Sequence, residues 1–237
     1  MLFRSLHTRP GPIQLGDWLA SFSEDGQTFE QYLAEKTIHS TKTRNRIYVQ
    51  PLGRFTDEQA RIVKLAAEYL GVYFNLQTVL LAEKDTDFIP AKARRNNYQG
   101  EQLLTSYITH EFLRPNLPPD AVCTIAFTSS DLWPGDGWNF VFGEASLRGR
   151  VGVWSLSRFG DPAESDESFH KCLTRTLKVA THETGHLFTI EHCIAWNCNM
   201  RGCNSLYESD RYPMWLCPEC MADRKSTRLN SSHRIRS

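Results

Sequence analysis

No stretch of this chain approaches the roughly eighteen consecutive apolar residues of a membrane-spanning helix, so no membrane partner is expected. The first residues, MLFRSLHTRPGPIQLGDW, lack the apolar centre of a secretory signal. They carry Arg4 and Arg9 with no acid before Asp17, which leaves a mitochondrial leader as the alternative to the simplest reading, a cytoplasmic protein. Charge of one sign is also missing, because 27 basic side chains meet 27 acidic ones. That balance hides an asymmetry: residues 1–220 hold 22 basic and 26 acidic groups, a balance of −4, while the last seventeen are basic. A slightly acidic body argues against nucleic acid as the main partner. Internal repeats and obvious linkers are absent too, so a single α/β (α+β) domain is expected, working as a monomer.

Against those absences stands THETGHLFTIEHC, residues 181–193. His182, Glu183 and His186 form His-Glu-x-x-His, and His192 follows after five residues. Positions four apart lie one above the other on a helix, so His182 and His186 can aim their imidazoles at one point. Three histidine nitrogens leave a fourth position of Zn²⁺ open for chemistry. With 8 His and 15 Glu in 237 residues, the five-residue motif arises by chance in about one such chain in sixty. Adding the His192 interval cuts that to about one in two thousand. The alternative, ordinary surface or core histidines, suits a lone His better than this set. Glu183 lies about 100° round the helix from His182. It is placed to take a proton from a zinc-activated water and pass it to a leaving amine, rather than to ligate.

The seven cysteines are unevenly spread. Cys123 and Cys172 are isolated, whereas Cys193, Cys198, Cys203, Cys217 and Cys220 crowd together at the end of residues 1–220. Without a secretory signal such crowding reads as metal ligation before disulfides, and the odd total fits full pairing poorly. Cys217-Pro-Glu-Cys220 is a half-site for tetrahedral thiolate zinc, and Cys193 with Cys198 is a more loosely spaced partner pair. A redox Cys-x-x-Cys or unligated thiols are the alternatives, and both leave the other cysteines unexplained. A zinc-ribbon-like nucleic-acid module is a further reading of the four cysteines. It calls for a basic surface that the −4 body does not supply.

Periodicity predicts a short strand at RIYVQPLGRF and a helix opened by the capping box Thr56–Gln59 and stopped at Gly71. Strands are expected in 72–83 and 121–132, and near 139–146 and 150–157. Residues 92–113 read as an amphipathic helix with an irregular start, and FSEDGQTFEQYLAEK as a short surface helix. The motif helix is expected over 168–188. Leu173, Leu177, Ala180 and Thr184 would form its packing face, and Val179, His182, Glu183 and His186 its cleft face. The division expected is an N-terminal extension at 1–45, a main domain at 46–220 and a basic tail at 221–237, disordered or non-native.

HETGHLFTIEHC, then IAWNCNM, then CPEC, resemble the archaemetzincins (archaelysins), a metzincin branch of the zinc metallopeptidases. FTSSDLWPGDGWNFVFGEASLRGRVGVWSLSRFG looks like the segment that precedes the catalytic helix in that family, so the likeness spans roughly residues 45–220. It implies a metzincin-like mixed twisted sheet packed on helices, with a cysteine-rich segment stapled by zinc at the C-terminal end. It implies two zinc ions per chain: a catalytic one on His182, His186 and His192, and a structural one on Cys193, Cys198, Cys217 and Cys220. Glu183 would be the general base, Met200 the Met-turn residue, VGVWSLS (151–157) the edge strand that pairs with substrate, and peptides or proteins the substrates. The family's pattern has Gly three residues after the second His, where this chain has Thr189. A β-branched residue tolerates φ > 0 poorly, so the bend is expected to be strained or differently shaped. A catalytically impaired zinc-binding member, acting as a binding module, is therefore the alternative to an active zinc metallopeptidase.

Overall fold

The apolar run AVCTIAFT is buried along its whole length, as a strand must be when other strands and both sheet faces enclose it. The structure, a computed structural model, describes residues 4–35, 38–98, 100–146 and 148–226. Its helices are α1 (Trp18–Ser21), α2 (Phe29–Ala34), α3 (Asp57–Phe74), α4 (Asp166–Leu187), α5 (Leu206–Asp210) and α6 (Pro218–Ser226). Its strands are β1 (Arg46–Leu52), β2 (Gln77–Leu80), β3 (Arg94–Asn97), β4 (Gly100–Leu104), β5 (Ala121–Thr128), β6 (Asp131–Trp133), β7 (Gly143–Ser146) and β8 (Val151–Ser155). The chain gathers into two compact units: Ser40–Leu187, and Met1–His39 with Phe188–Ser237. The cut between them falls inside the central motif, directly after the last residue of α4. Among the described residues no helix is long and apolar enough to cross a membrane.

The sheet unit, Ser40–Leu187, holds a five-stranded sheet in the order β2-β1-β5-β8-β7. The first four strands run parallel and β7 is antiparallel to β8. This mixed sheet packed on helices is the expected fold class. It corrects the edge assignment: β8 is enclosed by β5 and β7, so the edge strand is Gly143–Ser146 and not residues 151–157. α4 packs across β7 and β8 and against α3. The capping box of Thr56 and Gln59 opens α3 as expected, but the helix passes Gly71 and ends on Asn75, which is left-handed at φ 52°. Asn tolerates that conformation through its short polar side chain, so it serves as the stop in place of Gly.

Residues 92–113 are not one helix. β3 and β4 form an antiparallel hairpin, and a π-helical segment follows at Tyr107–Leu113. The apolar spacing of Leu103, Tyr107 and Ile108 suggested one helix, but Asn97 and a left-handed Gly100 (φ +109°) supply turn chemistry that outweighs it. Gln102 on β4 and Asp131 on β6 then join a buried polar clamp. The Asp131 carboxylate accepts from Arg158 Nε at 2.8 Å and Nη2 at 2.6 Å, and from Gln102 Nε2 at 2.8 Å.

In the other unit the helices are short and no strand is formed among the described residues. Polar contacts do much of the holding. Glu208, buried, accepts from the backbone N–H groups of Trp18 and Asn204 and from the Tyr212 hydroxyl. The segment read as a surface helix forms α2, opened by a capping box of Thr28 and Gln31. Of the basic tail, residues 221–226 continue α6, and the remainder lies outside the described residues.

Removing one member of the Asp131 clamp tests its weight. Asp131→Ala strands the Arg158 guanidinium, whose side chain is only 11% exposed, and is expected to cost about 3–5 kcal/mol in chemical denaturation. A loss below ~1 kcal/mol would contradict the clamp. Burial alone would raise the Asp131 pKa, but hydrogen bonding and charge from Arg158 bring it below the usual carboxylate value. The clamp's contribution is therefore complete above about pH 4 and is lost as pH falls through the depressed value of the folded state. Asp131→Asn should lack that acid dependence.

Candidate zinc centres

Helix α4 is opened by Ser165, whose hydroxyl accepts from Ser168 N at 3.1 Å, with Asp166 and Glu167 in its first turn. Its buried stripe runs Phe169, Cys172, Thr176, Ala180, Thr184, Leu187, at steps of three and four. Leu173 and Leu177, expected on that face, are half-buried at its margin. Two of the threonines conceal the stripe from a hydropathy reading because they meet their own helix. Thr176 Oγ1 donates to Cys172 O at 2.8 Å, and Thr181 Oγ1, beside the stripe, donates to Leu177 O at 2.8 Å.

The half-buried face carries Val179, His182, Glu183 and His186. The two imidazoles converge, with Nε2 atoms 3.0 Å apart and ring planes at 88°. Nitrogens bound to one tetrahedral zinc at 2.0–2.1 Å stand about 3.3–3.4 Å apart, so the pair fits two adjacent ligand positions with a small adjustment. Glu183 faces the edge strand. At Gly143 on β7 an added Cβ would come within 3.3 Å of Glu183 Cγ and 3.1 Å of Trp154 Cβ, so the missing side chain admits the glutamate. Desolvation, reinforced by the Glu144 carboxylate, pushes the Glu183 carboxyl up to about 8. Glu144 in turn accepts a hydrogen bond from Thr105 Oγ1. A cation held by the neighbouring histidines would draw Glu183 back towards its ionised form. Gly143, Glu144 and Thr105 carried no motif; their role follows from β7 being the edge.

Past α4 the chain enters the second unit. Thr189 is left-handed at φ 65°, the conformation that favours glycine and strains a β-branched residue by about 1–3 kcal/mol. Its carbonyl accepts from Gln27 Nε2 at 3.1 Å, and Gln27 Oε1 accepts from Glu191 N at 3.2 Å. His192 has Nδ1 2.7 Å from Glu24 Oε1, and its ring meets Trp18 edge-on at 5.3 Å.

Cys193, Cys198, Cys217 and Cys220 come together as expected, with all four sulfurs within 4.8 Å of one another. Cys203 is outside that group, and Cys123 and Cys172 are buried apart from it, with thiols pushed up by desolvation to about 12 and about 11. Cys193 Sγ and Cys217 Sγ are 3.8 Å apart, the edge of a tetrahedron with Zn–S bonds of about 2.3 Å. Backbone N–H groups point at the sulfurs: Cys217 N at 3.2 Å and Met200 N at 3.5 Å from Cys198 Sγ, and Cys220 N at 3.4 Å from Cys217 Sγ. The neighbouring thiols hold Cys193 far below an ordinary thiol and drive Cys198 and Cys220 well above it. Such a cluster can lose all its protons only around a cation, so the donor set fits zinc. Met200 is fully buried, and its carbonyl accepts from Cys193 N at 2.8 Å.

Comparison with known proteins places the chain among the archaemetzincins. The sequence model of peptidase family M54 matches residues 78–226. Archaemetzincin-2 of Macaca fascicularis is 32% identical over 249 residues, covering 89% of this chain and 68% of its own. Among solved structures, archaemetzincin from Archaeoglobus fulgidus, complexed with malonate, superposes with a TM-score of 0.59 at 32% identity. It covers 75% of this chain and 99% of that one. The Methanopyrus kandleri archaemetzincin superposes at 0.63 with 27% identity, over 78% and 96%.

The left-handed Thr189 gives a direct test of strain. Thr189→Gly is expected to stabilise the protein by about 1 kcal/mol, the relief of strain exceeding the entropy cost of glycine. Thermal unfolding of the zinc-loaded protein measures it, and a lower melting temperature would show that the turn is unstrained.

Proposed function

The chain belongs to peptidase family M54, the archaemetzincins, and is a zinc metallopeptidase; we propose that His182, His186 and His192 hold its catalytic zinc and that Glu183 is the general base. The observation that carries the proposal is the convergence of the His182 and His186 Nε2 atoms beside a carboxylate that faces the sheet edge. When bound, zinc supplies a Lewis acid for the scissile carbonyl and lowers the pKa of the attacking water. Every other step falls to side chains. Glu183 takes the proton from that water and delivers it to the leaving amine. Desolvation by its surroundings suits it to both directions of transfer, since its proton affinity is raised towards neutrality. Thr105 fixes the Glu144 carboxylate by a hydrogen bond and so sets the charge that Glu183 faces.

The substrate is a peptide or protein, and the exposed side of β7 is the part of the sheet unit suited to it. At the edge of the sheet, Gly143–Ser146 offer backbone groups that an extended peptide can pair with, and Gly143 keeps that edge close to Glu183. The second zinc, on Cys193, Cys198, Cys217 and Cys220, is structural: its four positions are filled by thiolates, which leaves no place for substrate. The reading as an impaired binding module rests on Thr189. Its left-handed conformation supports activity instead, because the bend is made despite the missing glycine.

Two measurements test the proposal. The purified protein should contain two zinc ions per chain by elemental analysis, His192→Ala losing one and Cys217→Ser the other; one zinc in the intact protein would contradict the two-centre reading. Glu183→Ala should retain both ions and lower peptide hydrolysis by about 10²–10⁴-fold. Equal rates for the two proteins would sink the enzymatic role of Glu183.

A further inference from the structure

The segment before α2 has no part in the chemistry described so far, and the family match at 78–226 does not reach it. In this structure residues 24–32 lie along residues 188–194 and meet them at successive points. Tyr32, fully buried, donates its hydroxyl to Phe188 O at 3.3 Å. Gln27 spans the left-handed turn, donating to Thr189 O and accepting from Glu191 N. Gly26, at φ +71°, lets the backbone approach Ile194 so closely that an added Cβ would stand 2.8 Å from Ile194 Cγ1. Glu24 Oε1 lies 2.7 Å from His192 Nδ1, and its other oxygen is buried with no hydrogen-bond partner among the described residues.

We propose that Glu24 is a positioning residue for the third zinc ligand, accepting the Nδ1 proton of His192 so that Nε2 is left as the metal-binding nitrogen. The inference rests on the reading of His192 as a ligand. An imidazole that donates one ring N–H to a carboxylate has its tautomer and ring orientation fixed, and the other nitrogen becomes a better donor to a metal. The Trp18 ring, edge-on to His192 at 5.3 Å, limits rotation of the imidazole. Gln27 holds the backbone on both sides of Ile190, so the turn and the ring are set by one stretch of seven residues, Glu24–Glu30, and its helix cap. A buried carboxylate oxygen without a partner is costly by itself. Its retention beside His192 is explained if the carboxylate faces an imidazole whose positive charge is increased by a bound metal.

The test uses the full chain carrying both zinc ions, with the affinity at the histidine centre measured by chelator competition and the thiolate zinc as internal reference. Glu24→Ala should weaken the histidine-centre zinc by about 10–100-fold while leaving the thiolate zinc unchanged. In Co²⁺-substituted protein it should also shift the visible bands of the histidine centre. Glu24→Gln, which keeps an oxygen for the Nδ1 proton, should recover part of the affinity, and it carries the same comparison if the alanine variant does not fold. In a His192→Ala background, with zinc re-supplied in excess so that the weak residual binding to His182 and His186 can be titrated, Glu24→Ala should weaken the metal no further. Wild-type affinity in Glu24→Ala, or an equal further loss without His192, would overturn the positioning role alone. Wild-type affinity in His192→Ala would overturn it together with the three-histidine reading.

Discussion

Four sulfurs within 4.8 Å of one another need a cation between them before all can be thiolates, and the cysteine-bearing unit depends on that requirement being met. Its helices are short and no strand is formed among its described residues. Cys198 and Cys217, nineteen residues apart, are joined through the Cys217 N–H on the Cys198 sulfur, a bond that strengthens once the sulfur is an anion. With zinc as that cation, metal binding and folding would be one equilibrium for this unit, as in other small thiolate-stapled structures. Because Cys193 follows His192 directly, fixing its sulfur also restricts the backbone that presents the imidazole. A metal held by the four sulfurs would therefore constrain His192, the proposed catalytic ligand next to it in sequence.

The sheet unit meets a different electrostatic demand. Glu183 and Glu144 are carboxylates near one another in a partly desolvated place, and neither effect favours two negative charges. Glu183 therefore holds its proton more tightly than an ordinary carboxyl group. A divalent cation on the adjacent imidazoles would reverse the balance and favour the ionised form that the proposed base needs. Gly143 is what makes this geometry possible, since any side chain there would meet Glu183, Trp154 and the Val153 carbonyl together. The edge strand thus lies against Glu183 as well as offering a backbone edge.

Where a fixed spacing dictates geometry, the grouping of the candidate residues was legible from sequence. His182, Glu183 and His186 lie on one helical face because of 3.6 residues per turn, and Cys217 with Cys220 because Cys-x-x-Cys is a thiolate bite. What could not be read depended on partners distant in the chain. Glu24 and Gln27 lie more than 160 residues before the groups they touch, and no periodicity marks them. The strands 121–128 and 151–155 were visible as apolar runs, yet which strand forms the edge was not, because β7 holds four half-buried residues with a weak pattern. The hairpin at 94–104 was lost for a similar reason: its apolar residues fit a helix, and the decision lay with Asn97 and Gly100 at the turn. On α4, buried threonines that bond their own helix hid the packing face.

Thr189 shows how a departure from a family pattern is accommodated. A glycine would enter the left-handed region without strain, so a threonine there at φ 65° needs neighbours that over-determine the turn. The same chain supplies them: Gln27 on the carbonyl of Thr189 and the amide of Glu191, Tyr32 on the carbonyl of Phe188, and the Thr189 hydroxyl on that carbonyl as well. Each bond satisfies a backbone group that an irregular turn leaves without a helical partner. The conformation that glycine adopts by its own freedom is held here by tertiary contacts. The consequence is that the bend before His192 is held by residues 24–32, and the proposed third ligand depends on that segment for its backbone.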